Sequence, residues 1–329
     1  EELKSEFYRL ACTFYVSPGN ERTYVVLSGL NENMPAAVQL FEKLLADAQV
    51  NKEAYTNMTG DILKARSDAK LNQGQNFSRL MSFAMYGPKS PATNLLTEAE
   101  LTNMNPQELV DRIHNQNSYK HRILYYGPSS SKDLLATINQ YHQVPATLKE
   151  IPAGNEYSYL ETPVTKVLIA PYDAKQIYMA QISNLDKKYD PAIEPIRALY
   201  DEYFGGGMNS IVFQEMRETR GLAYSAWASI MPPSYLKYPY VLRTQIATQN
   251  DKMIDAVTTF NDIINNMPES EAAFKLAKDG LTNRLRTERI IKGDIIWSYI
   301  NAQDLGQNVD PRIKLYNDIQ NMTLKDIVD

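Results

Sequence analysis

The chain has 329 residues, 43% of them hydrophobic and 22% charged, with a formal net charge of -5; that is enough for about two globular domains. Basic and acidic residues are interspersed, so no basic stripe marks a nucleic-acid surface. Mean hydropathy is -0.42, and the most apolar runs, KVLIAP and YVVLSGL, are far too short to span a bilayer.

The chain starts EELKSEF, without an initiator methionine, signal peptide or lipidation motif, so the expectation is a processed or excised piece. Cys12 is the only cysteine, which excludes an intrachain disulfide and a thiolate metal cluster; its expected role is a buried structural thiol. TYVVLSGL (23–30) is β-branched and apolar and predicts a strand. MPAAVQLFEKLLADA (34–48) carries Ala37, Leu40, Phe41, Leu44 and Leu45 at helical spacing. Further helices are predicted from about Lys52 to Lys70 and over NFSRLMSFAMYG, and HRILYYG (121–127) reads as a strand. HQVPATLKEIPAGNEYSYLETP (142–163), with three prolines and a glycine, reads as a linker. KQIYMAQIS and LAYSAWASI alternate as strands, YPYVLRTQIAT (238–248) repeats the early strand, and DKMIDAVTTFNDIINNM (251–267) repeats the amphipathic helix.

These repeats keep a common spacing. LTNMNPQELVD at Leu101 returns as IQNMTLKDIVD at Ile319, 218 residues on, and Glu53, Asp61 and Met104 return at the same separation as Glu271, Asp279 and Met322. Phe41 returns as Phe260, 219 residues on. The chain therefore reads as two copies of one α+β unit: 1–141, the linker 142–163, and 164–329. Each unit is expected to be a largely antiparallel sheet with helices packed on one face. KSEFYRLACTFYVS aligns loosely with FQEMRETRGLAYSAWAS; copy one lacks an equivalent of 166–212, and copy two stops at Asp329 before an equivalent of HRILYYG. Both ends are thus expected to be truncated relative to a full unit.

Most catalytic chemistries find no match. FGGGMNSIV offers neither the Lys-Ser/Thr of a P-loop nor a G-x-G-x-x-G fingerprint, and it follows a helix, not a strand. Its residue pattern predicts a helix end at Gly205, Gly206 and Gly207, with Asn209 or Ser210 capping the next helix. The three histidines, His114, His121 and His142, fall in neither H-E-x-x-H nor H-x-x-E-H spacing, so they are expected at the surface or in the core without a catalytic zinc. No G-x-S-x-G elbow marks a serine nucleophile, and the carboxylate pairs read as solvated faces. Arg217, in the last turn of SIVFQEMRET, and Tyr224, across the reversal at Gly221, can be brought to one rim and can donate hydrogen bonds to a carbonyl oxygen. The same pattern also allows Arg217 to complement a helix C-terminus and Tyr224 to be a half-buried strand residue.

GGGMNSIVFQEMRETRGLAYSAWAS resembles the signature of the second half of pitrilysin-type, or insulinase-like, zinc metallopeptidases. YVVLSGLNENM, LTNMNPQELVD and APYDAKQIYMAQIS extend the resemblance over nearly the whole chain. It implies two tandem α+β domains forming one half of a clamshell that closes around a peptide. It also implies that zinc, its H-x-x-E-H ligands and the general base lie in an amino-terminal half or a separate catalytic subunit, with no metal in this chain. Arg217 and Tyr224 keep the family's seven-residue spacing between an arginine and a tyrosine that contact the substrate carbonyl and backbone. In copy one the matching positions are expected near Phe7 and Phe14. Gly205, Gly206 and Gly207, in the same motif, are candidate substrate-binding residues. The expected partners are a peptide and the zinc-bearing half, with no nucleic acid and no membrane span; compartment, cytoplasmic or periplasmic, stays open. The resemblance equally admits a non-catalytic peptide-binding or scaffold subunit.

Overall fold

A computed structural model describes residues 2–19 and 21–328. Glu1, Asn20 and Asp329, including both chain ends invoked above, lie outside the described residues. The fold is α+β, with antiparallel strand pairing throughout. Its internal contacts divide it into two units, 1–69 with 94–156 and 70–93 with 157–329.

In the first unit α1 (Glu2–Arg9) leads into the antiparallel pair β1 (Cys12–Pro18) and β2 (Thr23–Gly29). A 3-10 turn over Asn31–Asn33 then starts α2 (Met34–Ala46), with Pro35 in its first turn, where the missing amide hydrogen costs nothing. Ala37 and Phe41, four residues apart on α2, close over Phe7 and Cys12; the Phe14 ring packs tilted against Phe7 and Phe41 at 4.8 and 5.8 Å between ring centroids. α3 (Lys52–Lys70) follows. Later come α5 (Glu98–Asn103), started by a complete Thr97–Glu100 capping box, then α6 (Gln107–Asn115) and α7 (Ser131–Tyr141). The expected strand HRILYYG does not form: residues 121–127 pair with no ladder, and the nearest bridge is Tyr119 with Lys149. Apolar β-branched composition supplies strand propensity, but propensity without a neighbouring edge gives no ladder. From 142 to 163 that bridge is the only strand pairing, and no helix occurs.

The second unit holds α4 (Gln73–Tyr86) against β3 (Gln176–Lys188), where Phe77 meets Tyr178 edge to face at 5.6 Å. β3 pairs with β5 (Pro239–Gln249), which pairs in turn with β4 (Ser225–Met231), giving the order β3-β5-β4. α8 (Glu194–Tyr200) passes without a break into a π-helical stretch, Asp201–Gly205, and the short α9 (Ile211–Phe213) into another, Gln214–Thr219. α10 (Met253–Asn265), α11 (Glu271–Thr287), α12 (Asp294–Asp304), α13 (Pro311–Ile319) and α14 (Lys325–Val328) complete the chain. Ile246, Ala226 and Ala228 from the sheet bury against Tyr203, Phe204, Met216, Phe260 and Leu281.

The duplication is visible in the elements. α2 and α10 start and end 219 residues apart, as do the 3-10 turns before them, Asn31–Asn33 and Asn250–Lys252. Ala37 and Ala256, and Phe41 and Phe260, are buried at equivalent places. Strand register corrects one expected match. Ser28 pairs with Thr13, and its equivalent Ala247 pairs with Ser225. The residue before each, Cys12 and Tyr224, therefore holds the same place, and Phe14 instead matches Ala226. The loose alignment missed this because the helix-to-strand connection is Leu10–Ala11 in one unit and Arg220–Tyr224 in the other.

Candidate functional site

Gly205 is buried where the π-helical stretch crosses β4. A Cβ there would stand 2.6 Å from the Ala228 amide nitrogen and nearer still to its carbonyl oxygen, so only glycine allows this approach. Gly206 turns back on the Asp201 carbonyl, while Gly207 faces open space. Ser210 then caps α9, its hydroxyl accepting from the Phe213 amide at 3.3 Å. Asp201, its side chain 18% exposed, joins these elements. Its carboxylate accepts from the Ile230 amide, the Ser229 hydroxyl and the Arg197 guanidinium, all at 2.8 to 2.9 Å. Burial nevertheless holds its pKa above the ordinary carboxylate value, outweighing those bonds.

Arg217 lies in the π-helical stretch, whose i→i+5 turn is wider than an α-turn and is frequent at functional sites. Its guanidinium sits 5.0 Å from the Phe213 ring and 5.8 Å from the Tyr224 ring. Among the described residues the acid in ion-pair range is the adjacent Glu218, at 3.6 Å with both side chains about half exposed, a contact of small energy. Two aromatic faces thus orient the guanidinium while leaving its N–H donors available.

Tyr224 is not a half-buried strand residue. It stands 73% exposed at a bend just before β4 begins. The connection that delivers it is closely held. The Met216 carbonyl accepts from the Leu222 and Ala223 amides, the Tyr224 amide donates to Ala247, and the Thr248 hydroxyl donates to the Leu222 carbonyl at 2.6 Å. Lys252 donates to the Gly221 carbonyl at 2.9 Å, and Gly221 takes the left-handed φ of 56° that the reversal needs. A cation and a phenol are therefore presented together on a braced turn. Sequence reasoning missed Phe213, although its four-residue spacing from Arg217 on a helix was a readable signal. It also missed Thr248 and Lys252, whose contacts across 26 and 31 residues leave no local pattern.

Among the described residues no three His, Cys, Asp or Glu side chains converge to hold a metal ion. His114 turns its Nε2 to the Ala48 carbonyl at 3.0 Å, and His121 and His142 face each other in the first unit.

Residues 123–281 match the family model described as the peptidase M16 inactive domain. Over that stretch, just under half of its length, this chain is similar to the peptidase M16 family. Solved structures share the fold of this chain at low identity. An M16 inactive domain from Pseudomonas fluorescens matches with a TM-score of 0.67 at 16% identity, over 99% of this chain and 78% of that one. The periplasmic protease PqqL from Escherichia coli matches at 0.70 and 14%, over 99% of this chain and 36% of its own. The ferredoxin protease FusC, in complex with Arabidopsis ferredoxin, matches at 0.65 and 12%, again with 36% of its length covered. This chain thus spans about a third of those two proteases. No curated protein matches its sequence. No helix among the described residues is long and apolar enough to cross a membrane.

Proposed function

We propose that this chain is the zinc-free half of a zinc metalloendopeptidase, closing over a peptide whose cleavage depends on zinc and a general base held by the partner half. The observation that carries the reading is the Arg217–Tyr224 pair, exposed together on a turn braced at Met216, Ala247, Thr248 and Lys252. In this reading both side chains donate to the substrate carbonyl, where charge develops as the bond is attacked. Gly205 seats the preceding turn on β4, and Gly206 and Gly207 leave backbone near the substrate path free of side chains. The peptide adds as an extended strand at a sheet edge, so that backbone bonds give affinity. The family's proteases, one solved with a protein bound, support a peptide or protein substrate. A periplasmic neighbour favours, of the two compartments left open by the sequence, the extracytoplasmic one. The domain reading, 1–141 and 164–329 around a linker at 142–163, belongs to the same proposal.

The test is reconstitution. The chain alone cleaves no peptide, and cleavage appears when the half bearing H-x-x-E-H is added. Arg217→Ala and Tyr224→Phe then each lower kcat/KM by roughly 100-fold with little change in KM, since a transition-state donor is lost. Unchanged kinetics in both variants would establish the second reading, a non-catalytic peptide-binding or scaffold subunit.

A further inference from the structure

His121 and His142 meet head to head through Nε2 at 2.8 Å, ring planes perpendicular and centroids 5.0 Å apart. Their other nitrogens are both committed. His121 Nδ1 lies 2.7 Å from the Tyr119 carbonyl oxygen, which can only accept, so that nitrogen carries a proton. His142 Nδ1 lies 2.6 Å from Glu42 Oε1, and Asn117 donates to Glu42 Oε2 at 2.8 Å. A carboxylate receiving the Asn117 amide on one oxygen is an acceptor for His142 on the other, so His142 Nδ1 is protonated too. The Nε2–Nε2 contact then needs one further proton: with none, two lone pairs collide, and with two, two N–H groups collide. Four ring nitrogens thus hold three protons, a net charge of one that Glu42 balances. The His142 and Glu42 side chains are 13% and 17% exposed, whereas His121 lies at the surface.

From this geometry we propose that His121 and His142 share a single proton and form, with Glu42, a pH-sensitive latch in the first unit. The latch ties α2 through Glu42 to the end of α7 through His142, and to the 116–121 turn through His121 and Asn117. Other charged groups nearby are engaged elsewhere. Lys120 pairs with Glu150, and Lys149 lies 5.8 Å from the Tyr119 ring centroid. On α6, His114 faces Ala48 and Asp111 accepts from Gln107. The Nε2–Nε2 bond needs one proton, so the latch is closed with one shared proton and opens with two or with none. Acid adds a second cation against the first, and base removes the bridging proton. Among the described residues no group of three His, Cys, Asp or Glu side chains able to hold a metal ion includes the two rings.

Nitrogen-detected NMR of the imidazoles in the whole chain tests this. The expected result is protonation of both Nδ1 positions and coupled titration of the two rings, the step in His142 changing when His121 is replaced by Asn. Amides of residues 116–121 and of His142 exchange roughly tenfold faster at about pH 5 than at about pH 7, after correction for intrinsic rates, as a charge-assisted bond is lost. His121→Asn removes that pH step. Independent titration of the two rings, or a neutral Nδ1 on either, overturns the shared proton. Stoichiometric Zn2+ binding abolished by either His121→Asn or His142→Asn overturns it as well, since the pair would then be a metal site.

Discussion

Cys12 and Tyr224 enter equivalent strands at equivalent register, yet Cys12 is 4% exposed inside a small core and Tyr224 is 73% exposed on a rim. The difference lies in the connection before each strand. In the first unit two residues join α1 to β1, so the side chain is drawn under the helix, where Phe7 and Phe41 cover it. In the second, five residues follow the π-helical stretch, and the longer excursion carries Tyr224 outward beside Arg217. A repeated scaffold thus became a core in one copy and a presenting turn in the other by changing loop length and helix pitch. The sheet register stayed the same.

The sharpest way to probe that asymmetry is through the matched phenylalanines. Phe260 is fully buried within the large core of the second unit, and Phe260→Ala should cost about 3–5 kcal/mol in urea unfolding. Phe41, 9% exposed beside a smaller cluster, should cost at or below the bottom of that range. Equal losses would mean the two cores are energetically alike and the comparison by burial is wrong.

A smaller effect separates the turns. Gly221 and Ala11 both have left-handed backbone, at φ of 56° and 48°. Alanine at position 221 meets no neighbour, so Gly221→Ala costs only the backbone penalty of about 1 kcal/mol, and Ala11→Gly recovers a similar amount. Thermal melts of the two variants should therefore shift in opposite directions.

The least effect is the one the units share. Glu100 accepts from the Thr97 amide and hydroxyl, and Asp326 from those of Thr323, and these bonds hold both carboxyls below their ordinary pKa. A lowered pKa in the folded state means stabilisation present above the unfolded value and lost as pH falls through the folded one. NMR titration should place both midpoints below the ordinary carboxylate range, with Thr97→Val returning Glu100 alone toward it.

Much of the fold was legible because it is written in local period. α2 and α10 show their apolar stripes, β2, β3 and β5 their β-branched or alternating runs, and the 219-residue echo of Phe41 in Phe260 is plain in the letters. HRILYYG misled because strand propensity does not supply an edge to pair with. At the site, Arg217 and Tyr224 were legible through motif spacing, but the bend that exposes Tyr224 was not, because a π-helical turn has no distinctive composition. The histidines carried no spacing signal at all; His121 and His142 meet 21 residues apart, and His142 meets Glu42 a hundred residues away.

Sequence by itself determined the α+β class, the duplication and the candidate pair, since each depends on periodicity or on spacing within one element. Only the tertiary structure decided that Gly205 is needed against Ala228, that Cys12 and not Phe14 stands where Tyr224 does, and that two distant histidines meet. Those facts depend on which backbones approach which, and close approach is fixed by packing between segments far apart in the chain.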